Sequence, residues 1–543
     1  MDKILFNGEI YTLDKNGTKA EAIGIKEGRI EAIGSSDDIL KFKNENTELI
    51  DLKGKMTVPG FIDSHMHLIS YGYALSKVAL SQCKSIDEMI EKGKEFIQKN
   101  NFEKEDWIQG RGWNHDYFDE KRVPNRHDLD KISTEHPICF ARACGHIAVV
   151  NTKALEVAKI DEHPKQPDGG YIDVDESRKP TGVIRENALK LIYGIIPDPD
   201  LDKVKEMITN CIDDALEQGI TSIHTDDFEQ LPSKDYKKII KAYRELAEED
   251  NLNIRVYEQS LFSEPEKLKD FLNNGYNTGW GDEFFKIGPL KLLADGSLGA
   301  RTAYMTEAYF DDESTKGIPI FTQDELDELV MMAHMAGMQI AVHGIGDGIM
   351  HMIGKSLEKA LKEKPVEDHR HGIVHAQITD LELIEKFKEM NLIAYIQPIF
   401  LHYDMHIVEE RIGKERAKYT YNWKRMIDMG IHLAGGSDAP VEKFDILPNI
   451  YSAVTRKDLN GNPKNGWLPE QKVSVEDALR MFTVEGAYAS FEEDVKGTLE
   501  VGKYADLVVL EDNLFNINPD KIKDVRVELT MVNGKTFHKR GDN

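Results

Sequence analysis

At 543 residues the chain is longer than one hydrophobic core usually serves, so one large domain with attached modules, or two to three domains, is expected. A formal charge of -27 excludes the basic surface that nucleic acid or an anionic membrane selects. Cys83, Cys139, Cys144 and Cys211 form no CxxC pair, no apolar run approaches a membrane span, and the N-terminal MDKILFNGEIYTLDK lacks a signal-peptide core, so a reducing, cytoplasmic setting is expected.

Residues 3–12 and 21–33 alternate apolar and polar residues around Asn-Gly and Glu-Gly, the pattern of half-buried hairpins. At the other end, YADLVVLED (504–512) and VELTMVNGKTFHK (527–539) read the same way. The two ends are therefore expected to form one small β-domain, residues 1–57 with 491–543.

Between them, residues 58–490, short apolar runs alternate with amphipathic helical stretches, the form of βα units. Eight strands are predicted: 56–65, 220–226, 253–261, 287–295, 339–345, 372–378, 392–399 and 431–439. The predicted class is α/β, a (β/α)8 TIM barrel whose active site lies at the C-terminal strand ends. The first interval is too long for one βα unit, so residues 75–200 are expected to be an inserted subdomain after barrel strand 1, covering the barrel mouth.

Within FIDSHMHL, His65 and His67 are two apart, so on a strand both face the barrel interior. Spacing alone is weak, because 18 histidines in this length make about half an HxH pair by chance. His369 and His371 in EDHRHG are a second HxH, expected to be solvated, as are His402 and His406 of HYDMH, which lack the Glu of a zinc helix. What raises the first pair is agreement with later strand ends: His343 in AVHGIGD, His375 in VHAQ, Asp438 in GGSDAP, and Lys291, an ionisable residue inside an apolar strand.

The motifs GKMTVPGFIDSHMHL, RGWN, CGHIAVVNTKAL, PTGVIRE, GITSIHTDD, KLLADGSLGARTA, AVHGIGD, HAQ, GGSDAPV and GTLEVGKYADLVVL resemble the amidohydrolase superfamily, within it the YtcJ-like and N-substituted formamide deformylase-like branch. The resemblance implies two divalent metal ions, zinc first. His65, His67 and Asp438 would hold one ion, His343 and His375 the other, with a CO2-derived carbamate on Lys291 as the bridge. It also implies hydrolysis of a non-peptide C-N bond by metal-activated hydroxide. Asp438 would move the proton, and His375 would assist at the carbonyl.

Trp113, His115, His146, His224, Asp295 and Arg301 lie in polar stretches near the expected mouth and are substrate-contact candidates. The expected partner is a small amide-type substrate, with no nucleic acid, no membrane and a homodimer left open. Two other readings stand beside the amidase: a mononuclear deaminase-type hydrolase, and a regulatory or binding protein that kept the fold without turnover.

Overall fold

The computed structural model describes residues 1–100 and 102–541. Its largest sheet has eight parallel strands: β1 (Phe61–Met66), β2 (Ile220–Thr225), β3 (Arg255–Leu261), β4 (Phe285–Leu293), β5 (Ile340–Gly344), β6 (Gly372–His375), β7 (Ile393–Ile396) and β8 (Leu433–Gly435). Spatial order follows chain order from β1 to β8. Consecutive strands of the chain are thus neighbours in the sheet.

Where β8 returns to β1, the backbone closes the ring just beyond the last strand. Asp438 N donates to His65 O at 2.8 Å, and His67 N donates to Ala439 O at 2.7 Å. A Cβ at Gly436 would lie 2.6 Å from His65 N, so only glycine lets these edges meet. The result is a nearly closed (β/α)8 barrel, as the strand pattern predicts. The helices follow local rules: Gln323–Met335 starts at a Thr322/Glu325 capping box and buries Leu326, Leu329, Val330 and Ala333.

The predicted first strand, 56–65, is two strands. Met56–Pro59 belongs to a different sheet, and the barrel strand starts at Phe61. Gly60 marks the break, because a Cβ there would sit 2.2 Å from the Thr221 hydroxyl on β2. The chain leaves one sheet and enters the next through that gap.

Two smaller sheets share a core of Leu5, Ile23, Ile25 and Ile30 against Ile10, Leu507, Val509, Leu529 and Met531. One runs in the order Arg29–Gly34, Ala22–Lys26, Lys3–Phe6, Glu48–Asp51. The other runs Lys535–Lys539, Val527–Val532, Leu507–Leu510, Met56–Pro59, Glu9–Tyr11, Lys19–Ala20. Antiparallel pairing of Met56–Pro59 with Leu507–Leu510 therefore ties the two ends of the chain together. Glu27-Gly28 and Asn533-Gly534 have the paired positive φ of type I′ turns and make the expected hairpins. Residues 3–12 do not make one. Around Asn7-Gly8 the chain crosses from one sheet to the other, so that Leu5 and Ile10 enter the shared core from opposite sides.

Residues 70–203 form a separate compact unit. Its sheet runs Gly170–Val174, Pro180–Glu186, Ile147–Val150, Ile138–Arg142, Ile108–Trp113, Val78–Ala79. Alternating residues of its strands serve two cores: Phe140 and Val149 one face, Cys139 and Ala148 the other. Among the described residues no helix is long and apolar enough to cross a membrane.

Candidate metal centre

The C-terminal ends of β1, β4 and β6, with the residues just past β2 and β8, bring together the buried ionisable groups His65, Asp226, Lys291, His375 and Asp438. One ligand atom each from His65, His67 and Asp438 lies within 4.8 Å of the others. Asp438 Oδ1 sits 3.0 Å from His67 Nε2 and 3.3 Å from His65 Nε2. Lys291 Nζ, with no solvent exposure, is 3.2 Å from His65 Nε2 and 2.9 Å from Asp226 Oδ2. The rings of His343 and His375 are 4.4 Å apart, and that of His375 lies 5.7 Å from His65. His375 and Asp438 both adopt positive φ, +76° and +63°, strained backbone that the surrounding strand ends hold in place.

The partners of Nδ1 decide which nitrogen each imidazole offers. Gln259 Nε2 donates to Ser64 O at 3.1 Å, which turns its oxygen to His65 Nδ1 at 2.7 Å. Gln397 Oε1 likewise faces His375 Nδ1 at 2.7 Å, and Asp226 Oδ1 faces His67 Nδ1. All three rings therefore carry hydrogen on Nδ1, and the Nε2 atoms of His65 and His67 face Asp438. His343 is the reverse: its Nε2 meets Gly296 O and Asp295 Oδ1, each at 3.2 Å, leaving Nδ1.

Electrostatics agree with this division for His65 and His375. Burial, then Lys291, lowers His65, while burial and the neighbouring His343 hold His375 well below the usual imidazole range. Burial works against an Asp438 anion, yet the neighbouring His65 and His67 hold its carboxyl well below the carboxylate range. His67, between Asp226 and Asp438, is pushed up to about 10 despite its burial. Neutral imidazoles at His65 and His375, a His67 ring that would exchange its Nε2 proton for a cation, and anionic carboxylates, with no thiolate among them, are the donor set of zinc and related first-row cations, and one that suits a catalytic rather than a closed structural site.

The sequence pattern of the amidohydrolase family matches residues 48–538. The chain belongs to the amidohydrolase family. YtcJ of Bacillus subtilis is 33% identical over 548 residues, covering 99% of this chain and 100% of its relative. The N-substituted formamide deformylase of Arthrobacter pascens is 23% identical over 567 residues, 99% of this chain and 98% of that one. A solved structure of an uncharacterized metal-dependent hydrolase from Pyrococcus furiosus superposes with a TM-score of 0.77 at 30% identity, covering 96% of this chain and 100% of that one. This amidohydrolase is thus one of the metal-dependent hydrolases.

The substrate-contact candidates of this amidohydrolase have the following surroundings. Trp113 fills the core of the 70–203 unit, its indole N-H donating to Phe140 O at 2.8 Å. In the same unit His115 accepts from Arg142 Nε at 3.4 Å, and exposed His146 pairs with Glu186 at 3.0 Å. His224 points into the barrel interior without exposure and packs on Tyr257, and neither ring nitrogen has a partner among the described residues. Asp295 braces the loop after β5, taking the N-H groups of Ile345, Gly346 and Tyr304. Arg301 is forked onto Asp311, which also binds Arg411.

The second HxH is a correction. His369 and His371 are 6% and 1% exposed, not solvated, and every ring nitrogen is used. His334 Nε2 donates to Lys364 O at 2.7 Å, so its Nδ1 accepts from His371 Nε2 at 2.9 Å. His371 Nδ1 accepts from Ile340 N at 3.1 Å, while His369 accepts from His371 N and donates to Met390 O, both at 2.9 Å. In HYDMH, His406 is half exposed, but His402 Nδ1 accepts from Leu459 N at 3.1 Å.

Three residues touching the centre escaped the sequence reading: Asp226, Gln259 and Gln397. Each is a polar residue at or near a strand end, Asp226 sharing the inward side with His224 two residues before it. That parity, applied to HTDD, was the available signal.

Proposed function

We propose that this amidohydrolase hydrolyses a non-peptide C-N bond, in an amide, an N-substituted formamide or a cyclic amide. The observation that carries the reading is the convergence of His65, His67 and Asp438 on one position, with both Nε2 atoms turned to it. His343 Nδ1 and His375 Nε2 are the donors for a second ion, and Lys291, carrying a CO2-derived carbamate, is the residue to bridge. Bound there, divalent ions, zinc first, would supply Lewis acidity to a carbonyl oxygen and lower the pKa of water toward about 7.

The chain's own part is orientation and proton transfer. Asp438 turns Oδ1 to both imidazoles, so Oδ2 is left to take a proton from the attacking water and deliver it to the departing nitrogen. The formamide-cleaving relative from Arthrobacter pascens supports an N-substituted formamide as the first substrate to try. Metal analysis should find up to two transition-metal ions per chain, and chelation should abolish hydrolysis of an amide and formamide panel. Full activity in metal-free protein would sink the reading.

One observation favours a second reading, a single-metal deaminase. The Lys291 amine is ion-paired with Asp226 at 2.9 Å, and an ammonium cannot bridge two cations. Metal stoichiometry, with ammonia release as the product assay, separates the two.

A further inference from the structure

The three imidazoles that carry hydrogen on Nδ1 are not braced alike. His65 and His375 are held by neutral glutamine amides, Gln259 and Gln397, whereas His67 is held by a carboxylate. Asp226 has no solvent exposure, and both its oxygens are used. Oδ1 meets His67 Nδ1 and takes Gln230 Nε2 at 3.2 Å, while Oδ2 meets Lys291 Nζ at 2.9 Å. Its backbone is fixed as well: N donates to Met66 O at 3.3 Å, and O accepts from Gln230 Nε2 at 2.9 Å. An anion buried this deeply is costly unless its partners compensate, and here both partners belong to the candidate metal centre.

We propose that Asp226 is a positioning residue of that centre. Through one oxygen it keeps hydrogen on His67 Nδ1 and turns Nε2 to the position shared with His65 and Asp438. Through the other it holds the Lys291 amine 3.2 Å from His65 Nε2. A charged acceptor behind an imidazole raises its donor strength more than an amide does, so His67 is the ligand that gains most from its partner. The inference rests on the metal-hydrolase reading, and it assigns Asp226 no contact with substrate.

Asp226→Asn keeps the shape and an oxygen for His67 but removes the charge, and Asp226→Ala removes both. In competition with a chromophoric chelator, zinc should bind about 10- to 100-fold more weakly to Asp226→Asn, and at least as weakly to Asp226→Ala. Gln259→Ala, behind His65, should lose less. A second readout needs no variant: selective 15N-histidine labelling of the zinc-loaded wild type should show His67 with hydrogen on Nδ1 and metal on Nε2. Zinc affinity of folded Asp226→Asn within about twofold of wild type, well short of the roughly 10- to 100-fold loss expected for such a partner, would overturn the proposal. So would metal on His67 Nδ1. A wild type that takes up no zinc or other divalent metal ends the hydrolase reading and this inference together, whereas zinc binding indifferent to Asp226 ends only the inference.

Discussion

Strand β6 begins just after one histidine cluster and ends in another. Before it, His334, His369 and His371 spend every ring nitrogen on a backbone group or on one another. At its other end His375 joins His65, His67 and His343, where one nitrogen per ring is anchored by a neighbour, and the other nitrogen of His65 and of His67 is turned to Asp438. Both clusters are largely buried, both contain an HxH, and in each most rings have a fixed tautomer. What separates a structural histidine from a ligand is therefore the disposition of its second nitrogen, and neither spacing nor burial reveals it.

The sharpest way to break this contrast is to delete one histidine from each cluster. His67→Ala should cost more than the roughly 100-fold ceiling of an outer partner in activity, lose metal, and leave the metal-free chain folded. His371→Ala should do the opposite, keeping metal and activity in folded protein. It should lower stability by about 1–3 kcal/mol, because His334 Nδ1 and Ile340 N lose their buried partner. Chelator competition beside urea unfolding measures both effects. Equal loss of metal in the two variants would erase the distinction.

Lys291→Ala breaks a pair with no exposure on either side, so it should cost about 3–5 kcal/mol by taking from Asp226 the partner of its Oδ2. Metal content should fall with it, and partial rescue of activity by a small added carboxylic acid would identify the bridging role.

Acid should sharpen the contrast in another way. Burial, then the neighbouring His369, holds His371 well below the usual imidazole range, and burial also lowers His369. Burial, then Lys496, pushes His224 down to about 3. The unfolded chain takes up these protons near pH 6.5 and the folded one does not, so their stabilising contribution is complete above that value. It is lost as pH falls below it, by up to about 1.4 kcal/mol per pH unit for each ring, continuing toward about pH 3 for His224. Urea midpoints at about pH 7 and about pH 5 should show the fall, and His224→Gln should flatten it. A slope unchanged by that substitution would deny His224 its part. The smallest effect belongs to His146→Ala, whose exposed pair with Glu186 should leave the melting temperature unchanged.

The barrel was legible because inward and outward positions alternate along a strand, and His65, His67 and His375 stand where apolar runs end. The Glu27-Gly28 and Asn533-Gly534 turns were legible because few residues accept paired positive φ. Residues 3–12 show the limit of that rule: the same Asn-Gly chemistry turns the chain from one sheet into another. Asp226 and Gln259 were hidden for a different reason. Their meaning depends on His67 and His65, 159 and 194 residues away, and a polar residue near a strand end reads equally well as a cap. EDHRHG misled through its charged neighbours. Arg370 turns its guanidinium to Asp368 and Glu493, while the histidines on either side of it face inward.

Elemental analysis of wild type, His67→Ala and His371→Ala, purified side by side and assayed on the same amide and formamide panel, bears most directly on the centre. At least one divalent metal ion per chain, and up to two, should accompany activity in wild type and His371→Ala, with both metal and activity lost from His67→Ala. A wild type free of metal and fully active, or a His67→Ala chain that keeps its metal and its rate, would contradict the assignment of His65, His67 and Asp438 as the working metal site.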